Sequence, residues 1–256
     1  MKSHAVVLML IGTITISTLA IAQTPPPTPI SYLQSSVAAM VGQSTIQNVT
    51  LSGTAQSTAG SSNETGSFTA NGNTNGSSHL SLQLTNDSHT DNIQTTNGIP
   101  SGNWVDSNSV QHSMAQHNLL TPASWFCPVV ALSQIVSATN LNVQFIGVEQ
   151  KNGTSLAHFT ITAMSQGTGP QLALATHLSQ VDIYLNPQTL MPVVFDFTAH
   201  PDTDAGTDIP IEVTFSNYTQ VNGLWIPFTV ERYVNTTLSL ELQIQSVSAA
   251  PTGSNS

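Results

Sequence analysis

The sequence predicts a mainly β protein with one large antiparallel sheet, curved by its own twist, and two helical segments covering one side. The first observation is a period of two in the apolar residues from Asn48 onward, which is typical of half-buried strands. The second is the frequency of Asn-Gly and similar pairs between these stretches, which predicts hairpins and therefore antiparallel neighbours. The third is that helical spacing is confined to two places, near Ile30 and after Pro128.

The first 22 residues have the pattern of a secretory signal peptide. Lys2 supplies a basic start, an apolar run covers residues 5–19, and Ala20-Ile21-Ala22 matches an A-x-A cleavage site. We expect cleavage after Ala22 and export of the mature chain to the periplasm or beyond the cell. The apolar run is barely long enough to cross a bilayer, so we expect no stable membrane span once the signal is removed.

Residues 23–29 (QTPPPTP) predict a stiff, extended, Pro-rich linker. The next segment has apolar residues three or four positions apart, which predicts one amphipathic helix capped by Ser31 and ended by Gly42. We interpret residues 30–248 as a single β-rich domain and residues 249–256 as a disordered tail.

The strands are predicted from alternation and from their turns. In HLSLQLT, Leu80, Leu82 and Leu84 share one face while Ser81 and Gln83 share the other, as in a sheet with one buried face. Weaker strands are expected at 91–95 and 104–112. Hairpin turns are predicted at Asn152-Gly153, Asn186-Pro187, Asn222-Gly223 and Asn235-Thr236. About ten strands result.

The segment TPASWFCPVVALSQIVSA interrupts the β pattern. Pro128 cannot lie inside a straight helix, so we predict a short turn over residues 122–126 and a helix that begins at Pro128. Trp125, Phe126 and Val129 begin an apolar stripe on this segment. We expect it to cover the buried face of the sheet.

The charge balance excludes one class of partner. After removal of the signal, two cations remain, Lys151 and Arg232, against thirteen acidic residues. Nucleic-acid binding depends on lysines and arginines that neutralise phosphates. We therefore expect no nucleic-acid partner.

The segment HPDTDAGTD (200–208) has acids spaced as in a calcium loop. Such a loop needs a glycine at its sixth position and a bidentate glutamate at its twelfth. Counted from Asp202, those positions are Thr207 and Val213. The segment also lies between two predicted strands, and Pro, Asp and Gly are turn residues. We interpret it as a hairpin connection.

No sequence motif of a nucleophile elbow, metalloprotease, phosphate loop or dinucleotide fold is present. The one cysteine, Cys127, stands between Phe126 and Pro128 and is interpreted as a packing residue. His112 and His117 are five positions apart without further ligands nearby, and His158 alternates with apolar residues. We expect no catalytic residue, no metal site and no cofactor.

Two segments resemble exported bacterial proteins of the outer-membrane lipoprotein-sorting (LolA/LolB-like) superfamily, and among these the secreted proteins of soil bacteria such as acidobacteria. The similarity covers roughly residues 180–247. Its matching positions are Asp182, Leu185, Asn186, Pro187, Thr189, Pro192 and Val193, then Phe215, Ser216, Tyr218, Val221, Asn222, Gly223, Ile226, Pro227 and Phe228. The resemblance implies a half-barrel whose open side is covered by helices and whose cavity holds acyl chains.

Three functional hypotheses follow. The first is an exported non-enzymatic binding protein with an apolar cavity for a lipid or another amphiphile. The second is a structural or surface-adhesive β protein of the cell envelope, with its cavity filled by its own side chains. The third is a hydrolase that uses histidines and aspartates of separate strands. For the first hypothesis, the predicted ligand-binding residues are Leu82, Trp125, Phe126, Phe145, Phe159, Phe195, Phe215 and Phe228.

Overall fold

The computed structural model describes residues 27–42, 44–164 and 168–251. The predicted signal peptide, most of the predicted linker and the last five residues lie outside the described residues. The helices are α1 (Pro29–Val41), α2 (Pro128–Ser137) and α3 (Pro170–Ser179), with one 3₁₀ turn at Gln116–Leu119. The strands are β1 (Ile46–Ala59), β2 (Ser62–Asn73), β3 (Ser78–Leu84), β4 (Ser88–Thr96), β5 (Ile99–Val105), β6 (Gln111–Ser113), β7 (Leu141–Lys151), β8 (Thr154–Ala163), β9 (Val181–Leu185), β10 (Pro192–Ala199), β11 (Ile209–Val221), β12 (Leu224–Val234) and β13 (Thr237–Pro251).

The strands form one curved antiparallel sheet, as the sequence predicts, although there are thirteen of them and about ten were expected. Their order is β6-β5-β4-β3-β2-β1-β13-β12-β11-β10-β9-β8-β7. Two meanders, β1–β6 and β7–β13, therefore meet where β1 pairs with β13 at the centre of the sheet. The sheet does not close, and β6 and β7 are its two edges.

The helix α2 lies in the connection between these edge strands, on the concave side of the sheet. Nearly all of it is buried, and Val129, Val130 and Leu132 have no exposed surface. Burying each such side chain contributes about 1.5–3 kcal/mol. Its approach to β2 requires Gly72, because a Cβ at this position would lie 2.7 Å from the Ser124 hydroxyl oxygen.

The polar groups of this buried helix are largely satisfied within it. Pro128 at its start has no N–H to satisfy, and the Cys127 carbonyl accepts hydrogen bonds from the Val130 and Ala131 N–H groups. The Ser133 hydroxyl donates to the Val129 carbonyl at 2.7 Å. Gln134 donates from its side chain to the Asn73 carbonyl of β2, also at 2.7 Å, which fixes the helix against the sheet.

The helix α1 packs on α2 and on β12 and β7. It begins one residue earlier than predicted, and Thr28, not Ser31, is the N-cap: the Thr28 side chain accepts a hydrogen bond from the Ser31 N–H. The buried Ser36 hydroxyl donates to the Leu190 carbonyl at 2.6 Å. This bond ties α1 to the turn between β9 and β10.

Several boundaries differ from the sequence-based expectation. The helix α3 was not predicted, because few of its side chains are buried and Leu174 is 49% exposed, so it carries no apolar stripe. The expected strand at 104–112 is two strands, β5 and β6, separated by a turn held by the Asp106 carboxylate. The strand β13 continues to Pro251, three residues into the predicted tail.

The turns were predicted well. Asn152 and Gly153, Asn222 and Gly223, and Asn235 and Thr236 all have positive φ, as hairpin turns of type I′ require. The Asn186 side chain accepts hydrogen bonds from the N–H groups of Gln188 and Thr189.

The Tyr218 hydroxyl joins the two sequence segments that carry the resemblance. It donates to the Pro192 carbonyl at 2.8 Å, which links β11 to the start of β10. Burial raises the pKa of this phenol well above its usual value. The motif residues therefore build a corner of the sheet.

We expect Tyr218→Phe to lower the free energy of unfolding by about 1–3 kcal/mol, because it leaves a buried carbonyl without its donor. Urea unfolding measures this loss. The matched control is Tyr32→Phe, because the Tyr32 hydroxyl has no hydrogen-bond partner among the described residues and its ring contacts with Phe145 and Phe159 would remain. Equal losses of unfolding free energy in Tyr218→Phe and Tyr32→Phe would show that the Tyr218–Pro192 hydrogen bond does not stabilise the fold.

Candidate functional site

The eight predicted ligand-binding residues surround one core, but they do not line one open surface. Leu82, Phe126, Phe159, Phe195 and Phe215 are all buried, and all belong to the main core cluster. The two residues Trp125 and Phe228 are partly buried and pack against that cluster. The space between the sheet and α2 is thus filled by side chains at these positions.

Phe145 differs from the other seven residues. It lies on the edge strand β7, is 48% exposed, and contacts the rings of Tyr32 and Phe159 at centroid distances of 6.4 and 5.1 Å. Two adjacent edge residues, Ile146 and Val148, are also exposed. Because Phe145 is the cross-strand partner of the buried Phe159, it lies on the same face of the sheet, at its exposed margin and outside the core cluster.

A cavity of about 390 Å³ lies at one end of the concave face. Strands β3, β4, β5, β10 and β12 and the turn before α2 form its walls. We call it the arginine pocket and define it by Asp91, Trp104, Trp125, Phe126, Phe197 and Arg232. Trp125 and Phe126 are the two members of the predicted set that line it.

Hydrogen bonds among Ala115, Asn118, His200 and Asp202, which we call the latch, close this end of the half-barrel. The Asn118 side chain donates to the His200 carbonyl at 2.7 Å and accepts from the His200 N–H at 3.0 Å. The Asp202 carboxylate accepts from the Ala115 N–H at 2.9 Å. The latch thus joins the 3₁₀ turn of one meander to the β10–β11 connection of the other.

Arg232 supplies the positive charge of the arginine pocket. Its guanidinium carbon lies 5.3 Å from the centroid of the Trp125 ring, a cation–π contact, and its Nε is 3.5 Å from the Ser239 hydroxyl. Among the described residues, no carboxylate lies within 4.0 Å of it. Burial lowers the pKa of Arg232, and the negative charge of Asp91 opposes that shift.

The opposite wall is polar and aromatic. His89 contacts Asp91 at 2.8 Å, which raises the pKa of this histidine. The Trp104 ring stacks between His89 and His112, at centroid distances of 5.6 and 3.9 Å. Asp91 thus contacts His89 directly, whereas it acts on Arg232 only through its charge at a longer distance.

The environment of Lys151 differs from that of Arg232, because carboxylates contact Lys151 directly. It lies on the outer face of the sheet, where it contacts Asp196 at 2.6 Å and Glu212 at 2.7 Å. These carboxylates raise the pKa of Lys151. The lysine also lines a wider outer-face cavity of about 820 Å³, which contains Asp182 and Glu231 as well. The charge of this lysine is already paired.

His158 lies on the same outer face, where it stacks on Tyr184. Its Nδ1 contacts Glu149 at 3.0 Å and its Nε2 contacts Asp182 at 2.9 Å. The Thr160 hydroxyl donates to Asp182 rather than to the imidazole. With both ring nitrogens engaged by carboxylates, His158 does not have the free nitrogen that a general base needs.

Cys127 is fully buried, as interpreted from the sequence. Burial raises the pKa of its thiol to about 12, so the thiolate that nucleophilic chemistry requires does not form near neutral pH.

The architecture defines a class: a curved antiparallel half-barrel with helices in its concave side, which is a LolA-like fold. Three solved structures share it. They are a domain assigned to outer-membrane lipoprotein sorting from Vibrio parahaemolyticus (TM-score 0.55, 11% identity), a DUF1329 family protein from Desulfovibrio piger (0.53, 11%) and a LolA superfamily protein from Nitrosomonas europaea (0.50, 10%). The matches cover 88%, 89% and 87% of this chain and 94% of each of theirs.

At these identities the similarity establishes the fold. No protein-family model and no curated protein matches the sequence, and the closer likeness to acidobacterial proteins stays a prediction. Within the described ranges, no helix has both the length and the apolar character needed to cross a membrane.

Sequence reasoning missed Arg232, Trp104 and Phe197 as parts of a site. One signal was available: Arg232 is the single arginine of the chain. Outside residues 1–22 the sequence has two cations and thirteen acidic residues. An arginine within a predicted strand is therefore rare enough in this chain to mark a candidate site.

We expect Lys151→Met to destabilise the protein by about 2 kcal/mol at neutral pH, because it leaves two partly buried carboxylates unpaired. Burial already raises the pKa of Asp196, and Lys151 opposes that rise. A carboxyl group with a raised folded-state pKa favours folding when protonated. The loss should therefore shrink as the pH falls through the folded-state pKa of Asp196.

Urea unfolding near pH 7 and near pH 4 measures this dependence. The control is Lys151→Arg, which keeps both ion pairs and should remain close to the parent protein. A Lys151→Met deficit that stays constant with pH would show that lost packing, not unpaired charge, causes it.

Proposed function

We propose that this chain is an exported, non-enzymatic binding protein for an amphiphile with an anionic head group. The observation that carries the proposal is the environment of Arg232, a cation in an aromatic-walled pocket with no direct carboxylate partner among the described residues. A guanidinium offers several N–H donors in a planar fork that fits a carboxylate or a phosphate. An anionic head group would supply the partner that the protein does not.

Part of the remaining wall suits an apolar tail, whereas Asp91, Asn118, His200 and Asp202 make the rest polar. Trp104, Trp125, Phe126 and Phe197 line the arginine pocket, and its volume of about 390 Å³ falls in the range of small-molecule sites. A second cavity of about 400 Å³ lies on the other side of the segment Thr121–Ala123, which lines both. Each buried methylene of a tail contributes about 0.8 kcal/mol.

The non-enzymatic part of the proposal has two supports. Both ring nitrogens of His158 are engaged by carboxylates, and the Cys127 thiol is buried with its pKa raised to about 12. Export is supported by the signal-peptide pattern of residues 1–22.

A second candidate function is the structural or surface-adhesive one. It is favoured by the filling of most of the concave face by α2, whose side chains contact the residues expected to line a cavity. If the protein is structural or adhesive, the arginine pocket is a gap in the packing at one end of the core, and no small molecule binds there saturably.

The test is titration of delipidated protein with a long-chain fatty acid, followed by the fluorescence of Trp104 and Trp125. We expect saturable binding in the parent protein. We expect Arg232→Gln to weaken it roughly 10- to 100-fold, because hydrogen bonds to a charged group contribute about 1.5–3 kcal/mol. Circular dichroism confirms that the variant is folded.

Two controls separate the head group from the tail. Arg232→Lys keeps the charge and should retain more of the affinity than Arg232→Gln. The fatty alcohol of equal length lacks the anion, so its affinity should be weak and the same in parent and Arg232→Gln protein. If the parent protein shows no saturable fatty-acid binding, the structural candidate replaces this proposal.

A further inference from the structure

Three side chains from separate elements meet behind the latch: His177 in the last turn of α3, His200 after β10, and Asp208 before β11. The His177 Nε2 lies 2.9 Å from the Asp208 Oδ1. The His200 Nδ1 lies 3.5 Å from the same oxygen. One potential ligand atom from each residue falls within 4.8 Å of the others.

These separations suit a single metal ion. Two ligand atoms bound tetrahedrally to zinc at about 2.0–2.1 Å lie roughly 3.3 Å from each other. The two separations from the Asp208 oxygen, 2.9 and 3.5 Å, bracket that value. The two histidine nitrogens lie within 4.8 Å of each other, so an ion would bind all three residues once the imidazoles adjust around it.

The surroundings of the His200 Nδ1 indicate where a cation would bind. Its Nδ1 faces two oxygen acceptors, the Thr207 carbonyl at 3.1 Å and the Asp208 carboxylate at 3.5 Å. A metal ion bound at this nitrogen would lie next to both oxygens. Metal and proton would therefore compete for this nitrogen.

The surroundings lack a competing cation. Among the described residues, Asp208 has no lysine or arginine within 4.0 Å, and its ion-pair partners are the two histidines. The His200 side chain has no exposed surface, and its Nε2 has no hydrogen-bond partner in the described part of the chain. A buried imidazole is thus held beside a carboxylate whose ion-pair partners among the described residues are histidines alone.

We propose that His177, His200 and Asp208 form a Zn²⁺ site. Two imidazoles and one carboxylate are zinc ligands, whereas Ca²⁺ takes six to eight oxygens. The other acids of the loop are engaged elsewhere, since Asp202 bonds to the Ala115 N–H and Asp204 to Gly206 and Thr207. The site would join α3 to the β10–β11 connection, and of its three residues His200 also lines the arginine pocket whereas His177 and Asp208 do not.

The experiment is calorimetric titration of the chelator-treated full chain with ZnCl₂, with the visible absorption of bound Co²⁺ as a second readout. We expect one saturable zinc site, a tetrahedral Co²⁺ spectrum and no response to CaCl₂. Affinity should fall as the pH is lowered through the histidine range, because bound imidazole must be deprotonated.

The decisive variant is His177→Gln, because His177 is exposed and its replacement leaves the buried His200 in place. It should weaken zinc binding at least about tenfold and abolish the Co²⁺ spectrum. The matched control is His112→Gln, which removes a histidine from another His–Asp pair, the one with Asp106, and should bind zinc like the parent.

Equal zinc affinity in His177→Gln and the parent protein would overturn the proposal, as would a loss of binding in His112→Gln alone. Fatty-acid titration of His177→Gln separates this proposal from the proposed function, because that variant keeps Arg232 and should retain parental fatty-acid affinity.

Discussion

The constraint on which the structure depends is the crossing of the concave side by α2. An open sheet with β6 at one edge and β7 at the other obliges the chain to pass between them, and the passing segment is apolar enough to become the core. Its burial explains features that look unrelated in the sequence. Gly72 admits the helix, Pro128 begins it without an unsatisfied N–H, and the small residues of β1 and β2 leave room for a helix where large side chains would not.

The same crossing determines where space remains on the concave face. Because α2 and the aromatic residues beneath it fill the middle of the concave face, free volume remains where the turn before α2 passes over the sheet. That is where Trp125 and Arg232 meet. Lys151 and Arg232 thus have distinct environments: on the outer face Lys151 neutralises carboxylates of the sheet, while on the inner face Arg232 contacts the Trp125 ring and has no carboxylate within 4.0 Å among the described residues.

The fold was predictable to a large extent because its signals are local. Alternation in Leu80, Leu82 and Leu84 and the Asn-Gly turns act within a few residues, and they predicted strands and hairpins correctly. The missed helix α3 has few buried side chains and so leaves no periodic trace. The site was less predictable, since Arg232 is far in sequence from Asp91 and Trp104. Those two are cross-strand partners in the β4–β5 hairpin, but Arg232 joins them only in the complete sheet, in which β1 pairs with β13. Which Phe lines a cavity and which fills the core depends on the position of α2, which no local pattern encodes.

The segment HPDTDAGTD shows why spacing alone misleads about metal binding. A calcium loop works because its oxygens converge on one point, and convergence is a property of the backbone path. Here the path sends three carboxylates to three neighbours: Asp202 to the 3₁₀ turn of the latch, Asp204 back into its own turn, and Asp208 to a pair of histidines. The loop is a connection, as its turn residues indicate. Convergence arises instead from elements that the sequence separates, because α3 carries His177 to the place where the strand ends hold His200 and Asp208. Ligand type, not acidic spacing, then decides which ion fits, and imidazole nitrogens favour zinc over calcium.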